Sequence, residues 1–284
     1  MDSHISSVQS AWLADLERRH LASLTRQEFT RAVRALSARY VERRQQLPDR
    51  SPLDSAGKRA AFALFYAPVH YLTALAALDH FGPGPALTTL LDLGCGTGVC
   101  SAAWAHAITS GASGTRAPDI TGVDAHAWTV AEARWNWRAL GLRGRGIRGD
   151  MVERAQRLLR ESNSALASTG VVASWAVNEL STPARTQLLD AVETLVERGT
   201  TWLLLEPIAR GVTPWWGEWL ARLAPHGVIE ADIKCALDLP APLASFSESA
   251  GFRKREIGVR VMTTLPRRAA RISPARTLSQ TRRA

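Results

Sequence analysis

The chemistry of this chain concentrates at Leu90-Leu91-Asp92-Leu93-Gly94-Cys95-Gly96-Thr97-Gly98-Val99-Cys100. An apolar run enters three glycines at alternate positions, and the small residues Ser101-Ala102-Ala103 follow at once. Glycine lets the backbone turn sharply and approach a ligand without a Cβ clash, while the next helix presents free N–H groups. A cofactor belongs there, and spacing narrows which one. Dinucleotide sites use G-x-G-x-x-G with an acid about 20 residues on. Here the third glycine comes one position early, and Asp124 lies 30 residues after Gly94. No Gly-Lys-Ser/Thr follows, which excludes a Walker A loop. Seven histidines are scattered without H-x-x-x-H or H-E-x-x-H, so no zinc site is expected. No nucleophile elbow is present, which argues against a hydrolase.

The elements that position this loop follow from periodicity. The first 80 residues read as helices: Leu13, Leu16, His20, Leu21 and Leu24 recur at helical spacing, then Phe29, Val33, Leu36 and Tyr40. A third helix runs from Ser55 to the Gly82-Pro83-Gly84-Pro85 stop, with Pro68 expected to kink it. From Leu87, short apolar runs alternate with helical stretches, the pattern of a parallel sheet covered on both faces. Strands are predicted at 89–93, 120–124, 146–148, 171–175, 201–206, 227–233 and 258–264. Helices are predicted at 99–109, 129–140, 151–162, 183–196 and 214–223, with only 243–250 between the last two strands. The expected class is α/β, a Rossmann-like seven-stranded sheet with one antiparallel strand near its edge. The organisation expected is a helical region over 1–86, a cofactor-binding domain over 87–266 and a basic, disordered tail over 267–284.

Asp-x-Gly-x-Gly-x-Gly resembles the first motif of class I S-adenosylmethionine-dependent methyltransferases, and later segments agree in order and distance. The resemblance implies that Asp92 faces the methionine ammonium, with Gly94, Cys95, Gly96 and Gly98 forming the cofactor loop. Asp124 and Ala125 would meet the ribose, Asp150 and Met151 the adenine, and Trp175 would complete the pocket. A closer resemblance covers residues 30 to 265 in patches. Ala61-Phe62-Ala63-Leu64-Phe65-Tyr66-Ala67-Pro68-Val69-His70-Tyr71, Trp175-Ala176-Val177-Asn178-Glu179-Leu180 and Leu205-Glu206-Pro207 are similar to the mitochondrial small-ribosomal-subunit methyltransferase-like assembly factors and their bacterial relatives. This implies a small-subunit ribosomal RNA or precursor as partner. That family commonly carries a C-terminal cysteine cluster; only Cys235 lies in the matching region, so no iron–sulfur centre is expected.

Asn178 and Glu179, after the fourth strand, stand where the acceptor pocket of such enzymes lies. The Asn/Asp-Pro-Pro-aromatic signature that grips an exocyclic base amine is missing there. Both residues can equally belong to the turn that starts the next helix, as can Ser181 and Thr182 before Pro183. Glu206 is expected as a pocket-rim or structural acid. Ten tryptophans offer helix packing, or stacking on unpaired bases. Three functions therefore stand: an RNA methyltransferase, a non-catalytic assembly factor on the same fold, or a methyltransferase for a small molecule or protein.

Charge bears on the partner alone. Residues 252–284 carry ten basic groups against one acid, which accounts for the whole +9. Residues 1–60 hold 11 basic and 7 acidic groups, and 61–251 hold 14 and 18. Clustered arginine gains counterion-release free energy on a polyanion, though a soluble tail needs no partner. No DNA specificity is evident. Three cysteines make no disulfide framework, no signal peptide is visible at MDSHISSVQS, and no apolar run was counted at ~18 residues. A cytoplasmic protein without a membrane span is the expectation.

Overall fold

The computed structural model describes residues 7–22, 24–42, 53, 55–111, 114–236, 239–249 and 256–268. Seven strands form one sheet: β1 (Thr89–Leu93), β2 (Asp119–Asp124), β3 (Gly144–Arg148), β4 (Thr169–Ser174), β5 (Thr201–Pro207), β6 (Ile229–Ala236) and β7 (Glu256–Thr263). Their order is β3-β2-β1-β4-β5-β7-β6. The first five pair in parallel, while β7 runs antiparallel to both neighbours, β5 and β6. This is the expected sheet, with the reversed strand one place in from the edge.

Helices cover both faces because each strand alternates its side chains. Leu90 of β1 faces one core, shared with α1 (Ser7–Leu21), α2 (Arg26–Glu42), α3 (Ala56–Ala61), α4 (Ala67–Phe81), α5 (Val99–Gly111) and α6 (Ala127–Ala139). Leu91 and Leu93 face the other, built with α7 (Met151–Leu158), α9 (Thr182–Glu197) and α10 (Trp216–Leu223). The short α8 (Asn163–Ala167) precedes β4, and α11 (Ala241–Ser249) precedes β7. The N-terminal helices share their core with the sheet: Trp12, Leu16, Phe29 and Phe81 cluster with Leu90, Leu203 and Val261.

Several expectations change in detail. Helix α3 continues into α4 through a π turn at Phe62–Tyr66, where the Ala67 N–H donates to Phe62 O, five residues back. Pro68 has no N–H to give and sits in the first turn of α4, so the wider turn absorbs what was expected as a kink. Residues 60–78 contain no Asp, Glu, Lys or Arg, so the apolar run does reach membrane-span length. The continuous helix Ala56–Phe81 has mean hydropathy 1.5, but 67% of its apolar window is buried inside the protein. It is a core helix. The helix expected over 151–162 ends at Leu158, and a separate short helix, α8, follows, capped by Ser162 accepting from the Ala165 N–H at 3.3 Å. Of the expected tail, Arg267 donates to Glu230 O and Arg268 to Asp79, each at 3.0 Å. Residues 269–284 lie outside the described residues.

Candidate active site

The glycine loop joins β1 to α5 at the carboxyl end of the parallel strands, where open α/β sheets bind ligands. Gly94, Gly96 and Gly98 have φ of 66°, 50° and 72°, the left-handed region. They serve different purposes. A Cβ on Gly94 would come within 2.5 Å of the Ala176 Cβ, and one on Gly98 within 2.6 Å of the Trp137 ring. These two are glycine so that the protein can pack. At Gly96 the nearest atoms belong to the Phe62 ring, 3.9 Å away, an ordinary contact distance, so this is the loop position where a Cβ meets no clash.

Asp92 lies beneath the loop, on the face it shares with Leu90. It is fully buried, and neither carboxylate oxygen has a hydrogen-bond partner. Burial pushes its carboxyl up to about 7; Ser101 pulls the other way, and the Asp124 charge adds to the rise. Ser101 lies near, but it gives its hydroxyl to Gly98 O at 3.1 Å. Asp124 ends β2 and is half-buried. Its Oδ2 accepts from the Gly96 N–H at 2.9 Å, and its Oδ1 from the His126 N–H at 2.8 Å and the Thr129 hydroxyl at 2.7 Å. The second acid therefore shapes the loop that any ligand of the first would meet.

The other expected cofactor residues divide. Asp150 caps α7 through Oδ1, accepting from the Val152 and Glu153 N–H groups at 2.7 and 2.9 Å, and its Oδ2 takes no bond among the described residues. Met151 is buried with its sulfur against Gly94. Ala125 is exposed and accepts from Arg148 Nε through its carbonyl at 3.2 Å. Cys95 and Cys100 are free and buried, and burial raises both thiols well above their usual range. They behave as small apolar residues rather than ligands.

Trp175 ends up outside its predicted strand, with φ 52°, the one positive value off glycine among the described residues. A bulky residue there costs ~1–3 kcal/mol, so the surroundings must hold it. Its N–H donates to Leu205 O at 2.8 Å, and its ring stacks on His70 of α4, with centroids 3.9 Å apart and planes at 9°. Burial lowers the His70 imidazole to about 4, which keeps the stacked pair neutral. Phe62, Tyr66 and His70 follow one another at four-residue spacing, with ring centroids 6.2 to 6.4 Å apart. Sequence reasoning did not place this aromatic wall at the site. The spacing was its available signal, but nothing local says which element such a stripe will face.

Asn178 and Glu179 separate. The Asn178 amide is engaged at both ends, donating to Glu206 Oε2 at 2.8 Å and accepting from Trp215 Nε1 at 3.1 Å. Buried Glu206 also accepts from the Val177 and Asn178 N–H groups, so it is a structural acid that pins the turn after β4. The helix cap is Ser181, which accepts from Ala184 N–H. Glu179 is exposed in the turn after β4, yet the protein around it raises its carboxyl to about 7, Asp124 adding to the rise. Trp137, Trp202, Trp215, Trp216 and Trp219 are all buried, the packing alternative. A recess between the N-terminal helices, lined by Trp12, Tyr71 and Leu243, includes none of the glycine-loop residues.

The strand order with β7 inserted antiparallel is the class I methyltransferase fold. No protein-family model and no curated protein matches this sequence. Among solved structures, similarity extends to a candidate class I S-adenosylmethionine-dependent methyltransferase of Listeria monocytogenes (11% identity, 96% of this chain and 91% of that one, TM-score 0.46). A TehB-like S-adenosylmethionine-dependent methyltransferase of Corynebacterium glutamicum is similar at 16% identity over 67% of this chain and 86% of that one (TM-score 0.38). A candidate RNA methyltransferase of Pyrococcus horikoshii is similar at 15% over 74% and 85% (TM-score 0.40).

Proposed function

We propose that this chain is an S-adenosylmethionine-dependent methyltransferase whose acceptor is RNA, specifically that of the small ribosomal subunit. One observation carries the cofactor: Asp92, on the strand that runs into the glycine loop, is a fully buried carboxylate with no hydrogen-bond partner. A buried carboxylate left bare is costly, and a cationic group that hydrogen-bonds to it relieves that cost. The residues present fit the group. Asp92 would hold the ammonium, Asp124 a ribose hydroxyl, and Asp150 Oδ2 the adenine amino group. When bound, the cofactor supplies a methyl group on a sulfonium, activated for displacement.

The chain's own residues do the rest. The Asp124 charge raises the carboxyls of both Asp92 and Glu179, which favours a cation in the site. Phe62, Tyr66 and the His70–Trp175 stack wall it with rings. Glu179 stands in the turn after β4 with a carboxyl near neutrality, suited to take a proton from an acceptor N–H or O–H. The small-subunit RNA rests on the sequence resemblance and on the net charge of +9.

Isothermal titration with S-adenosylmethionine on the wild type, Asp92→Asn and Asp124→Ala tests the cofactor. Binding to the wild type that weakens at least tenfold in both variants is expected; no binding, or equal binding in all three, rejects the pocket. A second reading, a non-catalytic assembly factor on this fold, is favoured by the commitment of Asn178 to Glu206 and Trp215. Labelled-methyl transfer to small-subunit precursor RNA separates the two readings.

A further inference from the structure

An arginine cluster lies along the β3 side of the molecule, in a stretch of sequence separate from both basic ends. Residues 134–160 hold eight arginines against two acids, Asp150 and Glu153, a net +6 in 27 residues. Strand β3 is the edge of the sheet, paired only with β2. Its two faces differ. Gly144 and Gly146 turn toward α6, where a Cβ would fall 2.3 Å from the Trp137 ring and 2.7 Å from Val130. The alternate residues Arg143 and Arg145 therefore lie on the opposite side, over α7. Arg143 is paired with Asp119 at 2.6 Å. Arg145 donates through Nε to the Thr121 hydroxyl at 2.9 Å, which leaves its two terminal nitrogens outward.

Helix α7 brings Arg154 and Arg157 beside Arg145. The three guanidiniums crowd one another: burial first, then the Arg145 and Arg157 charges, hold the Arg154 guanidinium below its usual range, with Glu161 opposing. Arg154 Nε is buried without a hydrogen-bond partner, whereas Arg145, Arg157 and Arg160 are exposed. Like charges held together with a donor unsatisfied are what an anion would relieve. Guarding the sheet edge does not account for the cluster, because Arg154, Arg157 and Arg160 stand on or beyond α7, off the strand.

We propose that the Arg145–Arg154–Arg157 face, extended by Arg160, docks the phosphate backbone of the RNA. Guanidinium forks match phosphate oxygens two at a time. Val8 is the sole exposed large hydrophobic among the described residues, so the face offers no apolar anchor for a bilayer or for an apolar protein surface. Arg154 lies one turn beyond Asp150, the N-cap of the same helix, so RNA on this face passes beside the residue assigned to the adenine. The assignment rests on RNA as the partner, but not on turnover.

Fluorescence anisotropy of a labelled 20-nucleotide single-stranded RNA tests it, using the full chain, the triple variant R145Q/R157Q/R160Q and a chain ending at residue 268. The triple variant is expected to weaken binding about tenfold or more and to flatten the salt dependence by about 2 to 3 in slope, one phosphate contact per arginine. Its S-adenosylmethionine titration should match the wild type, since all three side chains are exposed, and its melting temperature should fall by no more than the loss of the Arg145–Thr121 hydrogen bond. RNA affinity unchanged in the triple variant but lost with the tail overturns the face while leaving RNA as partner. A wild type that holds no RNA, or that prefers anionic phosphatidylserine vesicles through the same arginines, overturns both. Failure to bind S-adenosylmethionine alone would reject the cofactor reading and leave this one standing.

Discussion

Asp92 carries two opposed requirements, and both are measurable. Without a ligand, its folded carboxyl near 7 lies above the ordinary 3.8, so the folded chain binds the extra proton. Stability from this group is therefore fully present at low pH and is lost as pH rises from about 4 to about 7, on the order of 4 kcal/mol in all. Asp92→Asn should flatten that dependence, read as a smaller gap between melting temperatures at pH 5 and pH 8. An ammonium partner needs the ionised form, so cofactor binding at pH 6 should release a proton, seen as a buffer-dependent heat in the wild type and not in Asp92→Asn. The glycines make a contrasting pair. Gly98→Ala combines a left-handed φ with a clash on Trp137, and about 2–5 kcal/mol of stability should be lost in chemical denaturation. Gly96→Ala meets no close atom, so its stability cost should be only about 1–2 kcal/mol, with the main loss in S-adenosylmethionine affinity.

Single elements take their form from partners distant in sequence. The turn after β4 is held by Glu206, 28 and 29 residues later, through three donors on Val177 and Asn178. Glu206→Ala should cost about 1–3 kcal/mol and speed hydrogen exchange at 177–179, while leaving the sheet intact. The loop's other wall is tied just as remotely. Trp12 of α1 donates to Asn136 Oδ1 at 2.7 Å, and Asn136 donates to Thr97 O at 2.9 Å. Arg19 and His20 meet buried Glu132; burial alone would raise this carboxyl, but the two partners together hold it below its usual range. Helix α1 is thereby part of the cofactor loop's support.

For the molecule as a whole, these ties and the shared core predict that the N-terminal helices and the sheet unfold together. A chain beginning at residue 87 would expose Leu90, Trp104 and Val261 to water and should be insoluble. The full chain should melt in one transition by both circular dichroism and tryptophan fluorescence. Charge is likewise a property of the folded whole. Averaged over 61–251 it is slightly negative, and that average conceals the +6 of 134–160, which folding divides between α6 on one face of the edge strand and Arg145, Arg154 and Arg157 on the other.

Alternation along each strand and the glycine spacing are local properties, and they were enough for the seven-stranded class and the reversed strand. Local pattern leaves open what a side chain meets across the core. Asn178 looked like a pocket residue until Glu206 and Trp215 took both ends of its amide, and Pro68 like a kink until the π turn absorbed it. His70 meets Trp175 because α4 packs beside the end of β4, and Arg145 falls on the α7 side of the sheet because Gly144 and Gly146 turn toward α6. Such contacts depend on chain segments tens of residues apart, whose meeting only the packed sheet decides.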